Sequence, residues 1–445
     1  MVNIMSSGCT CAPHPRLDLT AGYLQYHKIR SDGNDKNSSP EDDELTSCHE
    51  QIRQACRSHG CFHVSVDLTN EEQEDCPMKC LAKSMEEVEN EIESLFSPSL
   101  LDHTNADLNG GLVKVRIKDL PSPMTSQCME VATFRGRTAE SGDEQQFNPE
   151  PKLSWEFCRC LSARTELKND DVDRPSLDSS DVENDAWDCL LNWTEALHSV
   201  AAVVIDSIGI SQQVVLNEKN CDCLRKIISN PNNTNPSPKK CNVDLLRCFR
   251  YDAVPVEDDN QLGSSSHTDW GSLTVVWQDD KGGLQTYCNA CEKWTDVAAP
   301  ERKRTTKTIN FFVHVGDFLS LATHGEGMTH LPIWPSPRHR VICPTKQPDQ
   351  TTEKNQCRRS LVYFAYPPPN ISLAAAQKVV EPLICDDSCE STVMFQDYSL
   401  LHDQSQHQGD PTNGGSSTNF ETYENMRQRP FGEVIQEKWD QVQRN

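Results

Sequence analysis

The sequence predicts an α+β protein with a mainly β core that helices buttress. Two stretches, residues 81–95 and 190–208, carry apolar side chains at helical spacing. From Leu245 onward the sequence changes to short runs of β-branched and aromatic residues, separated by Gly, Asp and Pro. Several short strands divided by such turn residues are typical of a sandwich or barrel, so we expect the β core in the second half of the chain.

Length and charge limit the possible classes of protein. The chain has 445 residues, of which 36% are hydrophobic, and a formal net charge of −25. This length favours two or three domains, with one large domain carrying insertions as the alternative. Because the acidic surface repels phosphates and anionic lipid headgroups, we expect neither nucleic acid nor a membrane as a partner.

The sequence carries no membrane or secretory pattern that we can identify. No run reaches the roughly 20 apolar residues that a spanning helix needs. The first residues lack a charged start followed by an apolar run. We therefore expect a cytoplasmic monomer whose 21 cysteines are reduced thiols.

The amino-terminal part is predicted to form a small α/β layer. Residues 49–60 predict a helix that Gly60 ends, and residues 61–66 predict a short strand. Thr69 and Glu72 form a capping-box pattern, which predicts the start of an amphipathic helix. The apolar positions of this helix are Leu81, Met85, Val88, Ile92 and Leu95.

The middle and the end of the chain differ from the core in composition. Residues 135–188 are rich in Asp, Glu, Ser and Pro, so we predict an acidic low-complexity insertion that is mainly loop. Residues 189–240 are interpreted as a core helix and a linker. Residues 371–445 are interpreted as a carboxy-terminal extension, flexible around 403–418 and helical again at 430–442.

The predicted strands of the core are residues 273–279, 284–288, 308–315 and 360–366. In the third of these runs every second residue is apolar, namely Ile309, Phe311, Val313 and Val315. A strand with one buried face requires this alternation.

A possible metal site lies inside the β-rich region. His267 and Asp269 stand at positions i and i+2, so their side chains share one face of an extended strand. His339 follows 72 residues after His267, beyond a Pro-rich turn. Two imidazoles and one carboxylate on one face of a metal form the facial triad of non-haem iron(II) sites, which leaves adjacent coordination positions open. A surface histidine beside a turn aspartate is the competing interpretation.

Several motifs occur around this trio in a fixed order. The run SSHTDWGSLTVVWQDDKGGLQTY is followed by EKWTDV, NFFVHVGDFL, PSPRHRV and RRSLVYF. This order resembles that of the 2-oxoglutarate and iron(II)-dependent oxygenases, in particular their isopenicillin N synthase-like branch. Upstream, QACRSHGCFHV resembles the amino-terminal helix and strand of the family, and PFGEVIQEKW resembles its closing helix. The resemblance implies a double-stranded β-helix, or jelly roll, over residues 241–370, preceded by a dioxygenase-type α/β region over residues 1–134.

The resemblance also implies roles for individual residues. It implies that Fe(II) is bound by His267, Asp269 and His339. It implies that Arg358 and Ser360, as an R-x-S pair, hold the distal carboxylate of 2-oxoglutarate, and that Tyr251 helps to bind this co-substrate. An arginine suits a carboxylate because it donates two parallel charge-assisted hydrogen bonds. Arg359 then points to the opposite face and is structural, and a one-residue slip in register would exchange the two arginines.

The implied activity is the hydroxylation or desaturation of a small organic metabolite, with ring closure as a variant. Dioxygen and 2-oxoglutarate are the implied co-substrates, succinate and carbon dioxide the co-products, and ascorbate an additional reductant. Two alternatives remain: an oxidase that uses the same iron site without 2-oxoglutarate, as isopenicillin N synthase does, and a non-catalytic binding module with the same fold. The R-x-S pair argues against the first, and the intact trio argues against the second.

Other positions depart from the pattern of the family. The stretch between His339 and Arg358 is longer than usual. His314 and His324 stand where relatives commonly show asparagine, and we interpret them as packing or hydrogen-bonding histidines. Cys288-x-x-Cys291 is compatible with half of a zinc knuckle, although free thiols are the default. The residues around the predicted mouth are locally basic, which favours an anionic small molecule: Lys303, Arg304, Arg338 and Arg340.

Overall fold

The computed structural model describes part of the chain. The described residues are 14–24, 43–68, 77–96, 115–116, 128–133, 152–160, 181–210, 243–256, 261–289, 291–301, 307–324, 332–346, 356–367, 371–384, 398–401 and 423–444. Among them, no helix combines the length and the apolar character that crossing a membrane requires. The predictions for Thr69, Glu72, Lys303, Arg304 and residues 403–418 lie outside the described residues, as does most of the predicted insertion.

The described strands form two sheets. The strands are β1 Arg16–Asp18, β2 Cys61–Asp67, β3 Val115–Arg116, β4 Cys128–Thr133, β5 Lys152–Cys160, β6 Val243–Tyr251, β7 Leu262–His267, β8 Leu273–Gln278, β9 Leu284–Cys288, β10 Lys293–Asp296, β11 Thr308–Val315, β12 His339–Ile342 and β13 Arg358–Ala365. The larger sheet has the order β1-β2-β11-β8-β13-β6-β5-β4-β3, and the smaller sheet has the order β10-β9-β12-β7.

The eight strands from β6 to β13 form a jelly roll. In chain order they alternate between the two sheets, except for the β9–β10 hairpin, which lies entirely in the smaller sheet. All pairings among them are antiparallel. Between the sheets, Tyr251, Val276 and Phe312 of the larger sheet share one apolar cluster with Leu284 and Val341 of the smaller sheet. The predicted jelly-roll core is therefore confirmed.

The alternation along β11 separates two environments. Ile309, Phe311 and Val313 belong to the main apolar core, whereas Phe312 belongs to the cluster between the sheets. The larger sheet is therefore buried on both faces, and β8 is buried at every position. A strand inside such a sheet reads as a continuous apolar run, as LTVVW in β8 does.

Helices cover the outer face of the larger sheet. They are α1 Asp43–Ser58, α2 Met85–Leu95, α3 Asp181–Ile210, α4 Asp317–Ala322, α5 Leu373–Ile384 and α6 Phe431–Arg444. The chain turns after α1 at Gly60, which has φ +66° and lies so close to the carbonyl of Pro335 that a Cβ atom has no space. The terminal helix predicted for residues 430–442 is α6.

Helix α2 begins later than its apolar spacing predicts. Its N-cap is Ser84, whose hydroxyl accepts from the Glu87 amide while the Glu87 carboxylate accepts from the Ser84 amide. The capping box of α2 thus lies at Ser84 and Glu87. Leu81 is buried but precedes the helix, in the turn after a short 3₁₀ segment, Pro77–Cys80. Spacing alone did not reveal this break.

Regular structure also occurs where the acidic composition predicted mainly loop. Strand β5 pairs with β6 along its whole length, and α3 begins at Asp181. Apolar residues alternate along β5 at Leu153, Trp155 and Phe157. Pairing with the edge of β6 satisfies the β5 backbone, so a locally polar composition does not prevent a strand here. The boundaries of the proposed domains stay predictions.

Most of the described cysteines carry a thiol. Cys56, Cys61 and Cys248 are buried thiols outside any disulfide. Cys291 is disulfide-bonded, so the expectation of reduced thiols is wrong at this position. A sulfur in a disulfide cannot serve as a zinc ligand, which argues against a zinc knuckle at Cys288 and Cys291.

Largely buried ion pairs connect helix α2 to the larger sheet. The Nε and Nη2 atoms of Arg359 donate to Glu93 Oε2 at 2.9 and 2.7 Å, and Arg250 Nη1 lies 3.2 Å from Glu93 Oε1. Both carboxylate oxygens of Glu93 are thus paired with guanidinium groups. Removing the carboxylate leaves two cations that lie between the helix and the sheet without their partner.

We predict that Glu93→Gln lowers the free energy of unfolding by about 3 kcal/mol, because it breaks a largely buried ion pair. Urea denaturation followed by circular dichroism measures the loss. Glu86→Gln, an exposed position of the same helix, is the control and should change stability by no more than about 0.5 kcal/mol. Equal losses in the two variants would contradict this interpretation of Glu93.

Candidate functional site

Two antiparallel strands bring the predicted trio together. His267 ends β7, Asp269 follows two residues later, and His339 begins β12. The register pairs His339 with His267 directly, and their ring centroids are 4.4 Å apart. One donor atom from each of His267, Asp269 and His339 lies within 4.8 Å of the others. Strand pairing therefore converts a separation of 72 residues into a single compact cluster.

The two oxygens of Asp269 have different neighbours. Oδ1 lies 3.5 Å from His267 Nε2 and 3.6 Å from His339 Nε2. Oδ2 accepts a hydrogen bond of 2.5 Å from Thr274 Oγ1 and lies 3.4 Å from His314 Nε2. The protein thus holds one oxygen and leaves the other facing the two imidazoles. This arrangement favours coordination of a metal through a single carboxylate oxygen.

Backbone carbonyls orient both imidazoles. His267 Nδ1 lies 2.6 Å from the Ser265 carbonyl oxygen, and His339 Nδ1 lies 3.2 Å from the Pro337 carbonyl oxygen. In each case Nδ1–H donates to the carbonyl, so the Nε2 lone pair faces Asp269. A neutral imidazole that is oriented in this way presents a lone pair to a metal.

Burial and charge set the protonation states. Burial, followed by the charge of His267, lowers the pKa of His339 to about 3, so this ring is neutral at neutral pH. Burial opposes ionisation of Asp269, but the imidazoles around it, above all His339, hold its pKa well below its usual range. For His267, burial lowers the pKa and Asp269 raises it, with a net increase, while the charge of Lys152 lowers it. A carboxylate beside imidazole nitrogens is the donor set that metals bind.

The donor set fits iron(II). Two imidazole nitrogens and one carboxylate oxygen on one side form the facial arrangement that suits this ion and leaves positions open for further ligands. The side chain of His267 is 39% exposed whereas that of Asp269 is 6% exposed. The cluster is therefore buried on the Asp269 side and open to solvent beside His267, where ligands can enter.

A carboxy-terminal segment supports the loop between the candidate ligands. The amide of Thr268 donates to Ser399 Oγ at 2.9 Å, and the amide of Ser399 donates to Thr268 Oγ1 at 2.8 Å. Thr268 Oγ1 donates to Asp317 Oδ2, which also accepts from the amide of Leu400. No local pattern indicated this contact, because it joins residues 131 apart in the sequence.

Arg358 is the fixed cation of the interior. It is 1% exposed, and its Nη1 and Nη2 atoms donate to Ser360 Oγ at 3.2 Å and to Gln278 Oε1 at 3.0 Å. Its Nε donates to the Gly282 carbonyl at 2.6 Å, and its guanidinium lies 4.8 Å from the centroid of the Tyr251 ring. The three residues predicted to bind the co-substrate, Tyr251, Arg358 and Ser360, are therefore brought together.

The strand register separates the two neighbouring arginines. Arg358 pairs with Tyr251 and Arg359 with Arg250, so the two side chains leave β13 on opposite faces. Arg358 points between the two sheets, and Arg359 points to Glu93 of α2. The structure thus has the predicted register.

The sequence interpretation missed one histidine of this site. His314 is 2% exposed, and its ring centroid lies 4.6 Å from that of His339. Its position could have been found from the alternation along β11, which places His314 on the same side as Phe312. His324, by contrast, is a hydrogen-bonding histidine as expected, with Nε2 2.9 Å from the Tyr398 hydroxyl.

Two of the predicted basic residues lie away from the cluster. The guanidinium of Arg340 lies 4.2 Å from the ring centroid of Trp294, and that of Arg338 lies 4.6 Å from that of Tyr287. Arg340 follows His339 in β12, so its side chain leaves the strand on the opposite face. These guanidinium groups stack on aromatic rings and do not line the interior.

Comparisons with known proteins agree with this geometry. The family model described as the 2OG-Fe(II) oxygenase superfamily matches residues 242–367. A 2-oxoglutarate-dependent dioxygenase of Didymella fabae is 30% identical over 158 residues, which are 35% of this chain and 40% of that protein. The 2-oxoglutarate-dependent dioxygenase caaD of Aspergillus niger is 35% identical over 99 residues, which are 22% of this chain and 26% of that protein. The matching region thus spans less than half of either relative.

A solved structure shares the fold. The crystal structure of a full-length Neurospora crassa protein in complex with alpha-KG matches with a TM-score of 0.50 and 18% identity, and the match covers 81% of this chain and 87% of that one. At this identity the likeness concerns the fold alone. It agrees with the jelly roll. The matched family model and the relatives are consistent with the branch that the motifs resemble. Over residues 242–367, the chain is thus similar to the 2OG-Fe(II) oxygenase superfamily.

Proposed function

We propose that the protein is an Fe(II)- and 2-oxoglutarate-dependent oxygenase that hydroxylates or desaturates a small organic molecule. The observation that carries the proposal is the convergence of His267, Asp269 and His339 on one point, within 4.8 Å of one another. The same interior holds Arg358, a buried cation suited to a dicarboxylate. The names of the two curated relatives support the proposal.

His267, Asp269 and His339 would hold the iron through two Nε2 atoms and Asp269 Oδ1. Thr274 and His314 keep the second oxygen of Asp269 occupied, so the carboxylate contributes a single donor. Iron held by these residues together with 2-oxoglutarate would supply the chemistry of dioxygen activation: one oxygen atom would enter succinate as 2-oxoglutarate loses carbon dioxide, and the other would enter a C–H bond of the substrate. The residues of the chain bind, orient and shield the reactants.

Arg358 would bind the distal carboxylate of 2-oxoglutarate. Its Nε bond to Gly282, its Nη2 bond to Gln278 and the ring of Tyr251 fix the guanidinium in place. The hydroxyl of Ser360, held by Nη1, offers a neighbouring donor. Because little rotational freedom is left to lose, a carboxylate gains charge-assisted hydrogen bonds at low entropic cost.

We predict that His267→Ala and Asp269→Ala abolish stoichiometric Fe(II) binding, because two donors do not complete the facial set. Equilibrium dialysis of the full chain under argon measures bound iron. His59→Ala, a half-exposed histidine at the end of α1, is the control and should bind iron as the wild type does. Iron-dependent turnover that persists in either ligand variant would refute the assignment.

We predict that Thr274→Val raises the dissociation constant for Fe(II) about tenfold, as expected for the loss of a hydrogen bond to a ligand. Without the Thr274 hydroxyl, Asp269 Oδ2 loses its hydrogen bond, so the carboxylate is oriented less firmly for coordination through Oδ1. Fe(II) titration of the apoprotein measures the change. Thr194→Val, at a buried threonine of α3 whose hydroxyl donates to the Leu190 carbonyl instead, is the matched control. The same rise in both variants would contradict a specific role for Thr274.

We predict that Arg358→Met weakens 2-oxoglutarate binding about a hundredfold, since two charge-assisted hydrogen bonds contribute ~1.5 kcal/mol each. The metal-to-ligand charge-transfer absorption of the Fe(II)-loaded protein, titrated with 2-oxoglutarate under argon, measures the affinity. Arg359→Met is the matched control. It should lower stability but leave this affinity within about threefold, because its guanidinium lies on the other face.

The same preparations separate the proposed reaction from the alternatives. Formation of succinate coupled to oxygen uptake is expected for the 2-oxoglutarate-dependent reaction. Oxygen uptake without succinate indicates the oxidase that does not use 2-oxoglutarate. Iron binding with neither a charge-transfer band nor oxygen uptake indicates a non-catalytic binding module.

A further inference from the structure

A second cation occupies the interior next to the proposed co-substrate site. Lys152, the first residue of β5, is 8% exposed. Its Nζ lies 3.4 Å from Ser264 Oγ of β7 and 5.9 Å from the centroid of the Phe249 ring of β6. The ammonium thus lies between the larger and the smaller sheet. Ser264 belongs to β7, the strand that ends at His267, so the ammonium lies beside the strand that carries a candidate metal ligand.

The sheet register relates Lys152 to Arg358. Tyr251 pairs with Arg358 on one side and with Lys152 on the other. Directly paired residues project from the same face of a sheet, so all three side chains point to the interior. Neighbouring strands are about 4.8 Å apart, so the backbones of Lys152 and Arg358 are about 10 Å apart, with Tyr251 between them. One row of the larger sheet therefore carries two separate cationic groups.

These positions suit two different anionic groups. Arg358 is directed at Gln278, Gly282 and Ser360. Lys152 is directed toward Ser264, on the side of β7, the strand that carries His267. A 2-oxoglutarate molecule whose far carboxylate is held at Arg358 extends to the metal by its other end. Both carboxylates of 2-oxoglutarate are then engaged, so this molecule has no further carboxylate for Lys152 on the other side of Tyr251.

We propose that Lys152, with Ser264, binds a carboxylate group of the prime substrate, so that the enzyme acts on an organic acid. The inference rests on the proposed function, since it identifies the substrate class of that site. A lysine ammonium has three donors, and a carboxylate in a buried compartment gains charge-assisted bonds from it. One ammonium matches the single charge of a carboxylate better than the double charge of a phosphate ester.

The test uses the full chain loaded with Fe(II) and 2-oxoglutarate under argon. The probes are phenylacetate and 3-phenylpropionate, each compared with its neutral amide by ligand-observed NMR titration. The wild type should bind each acid at least about tenfold more tightly than its amide, the value of one charge-assisted hydrogen bond. Lys152→Met should remove this preference, and Lys152→Arg should retain part of it.

Two controls make the outcome specific. Lys293→Met removes a lysine from the exposed edge strand β10 and should leave the preference for acids unchanged. The charge-transfer band is recorded for every protein, so a variant that fails to fold is recognised by loss of the band. Absence of the charge-transfer band in the wild type would overturn the proposed function itself.

Three results would overturn the inference while the proposed function stands. The first is a wild type that forms the band but binds acid and amide equally, or binds neither acid. The second is a preference for acids that survives in Lys152→Met. The third is a Lys152→Met protein in which 2-oxoglutarate affinity falls while the preference for acids is kept, because Lys152 would then belong to the co-substrate site.

Discussion

The site depends on keeping the carboxyl of Asp269 ionised although it is almost completely buried. Burial alone favours the neutral acid, and the opposing stabilisation comes from imidazoles on three sides and from the hydroxyl of Thr274. These partners come from separate strands, so the buried carboxylate keeps all of them only when β7, β8, β11 and β12 are in register. The chemistry of the site and the folding of the jelly roll are thereby linked, because a slip of one strand would take an imidazole or the Thr274 hydroxyl away from the Asp269 carboxylate.

Alternation along strands assigns the roles of neighbouring residues. His339 and Arg340, or Arg358 and Arg359, are adjacent in sequence but point into different environments. In both pairs the side chain of the first residue faces the interior, where iron or 2-oxoglutarate is proposed to bind. The side chain of the second residue packs against an aromatic ring or a carboxylate. Similar residue types next to each other are therefore not interchangeable here. Because the side-chain period of a strand is two, a single insertion within β13 would exchange the arginines.

The sequence predicted what local pattern and motif order encode. The core strands at residues 284–288 and 308–315 have the predicted bounds, and the trio His267, Asp269 and His339 converges as expected. It did not predict β5, because a polar neighbourhood hid a strand that the β6 edge stabilises. It also missed the part that His314 plays beside Asp269. The alternation along β11 indicates the face on which His314 lies, but its contact with Asp269 also depends on the pairing of His314 with Thr274 of β8, which is distant in the sequence.

The carboxy-terminal segment shows why distant residues matter to such a site. Thr268 lies between two proposed ligands, and both its amide and its hydroxyl are engaged by Ser399 and Asp317. Asp317, at the start of α4, also holds Leu400, so one buried carboxylate joins the ligand loop, the helix and the terminal segment. Burial raises the pKa of Asp317 to about 7, above its unfolded value. The carboxyl of Asp317 therefore binds a proton more readily in the folded state. Its burial costs more free energy of folding as the pH rises from the unfolded pKa to about 7. The hydrogen bonds from Thr268 and Leu400 offset part of that cost. The position of the proposed metal ligands is thus set partly by a segment that contributes no proposed ligand of its own.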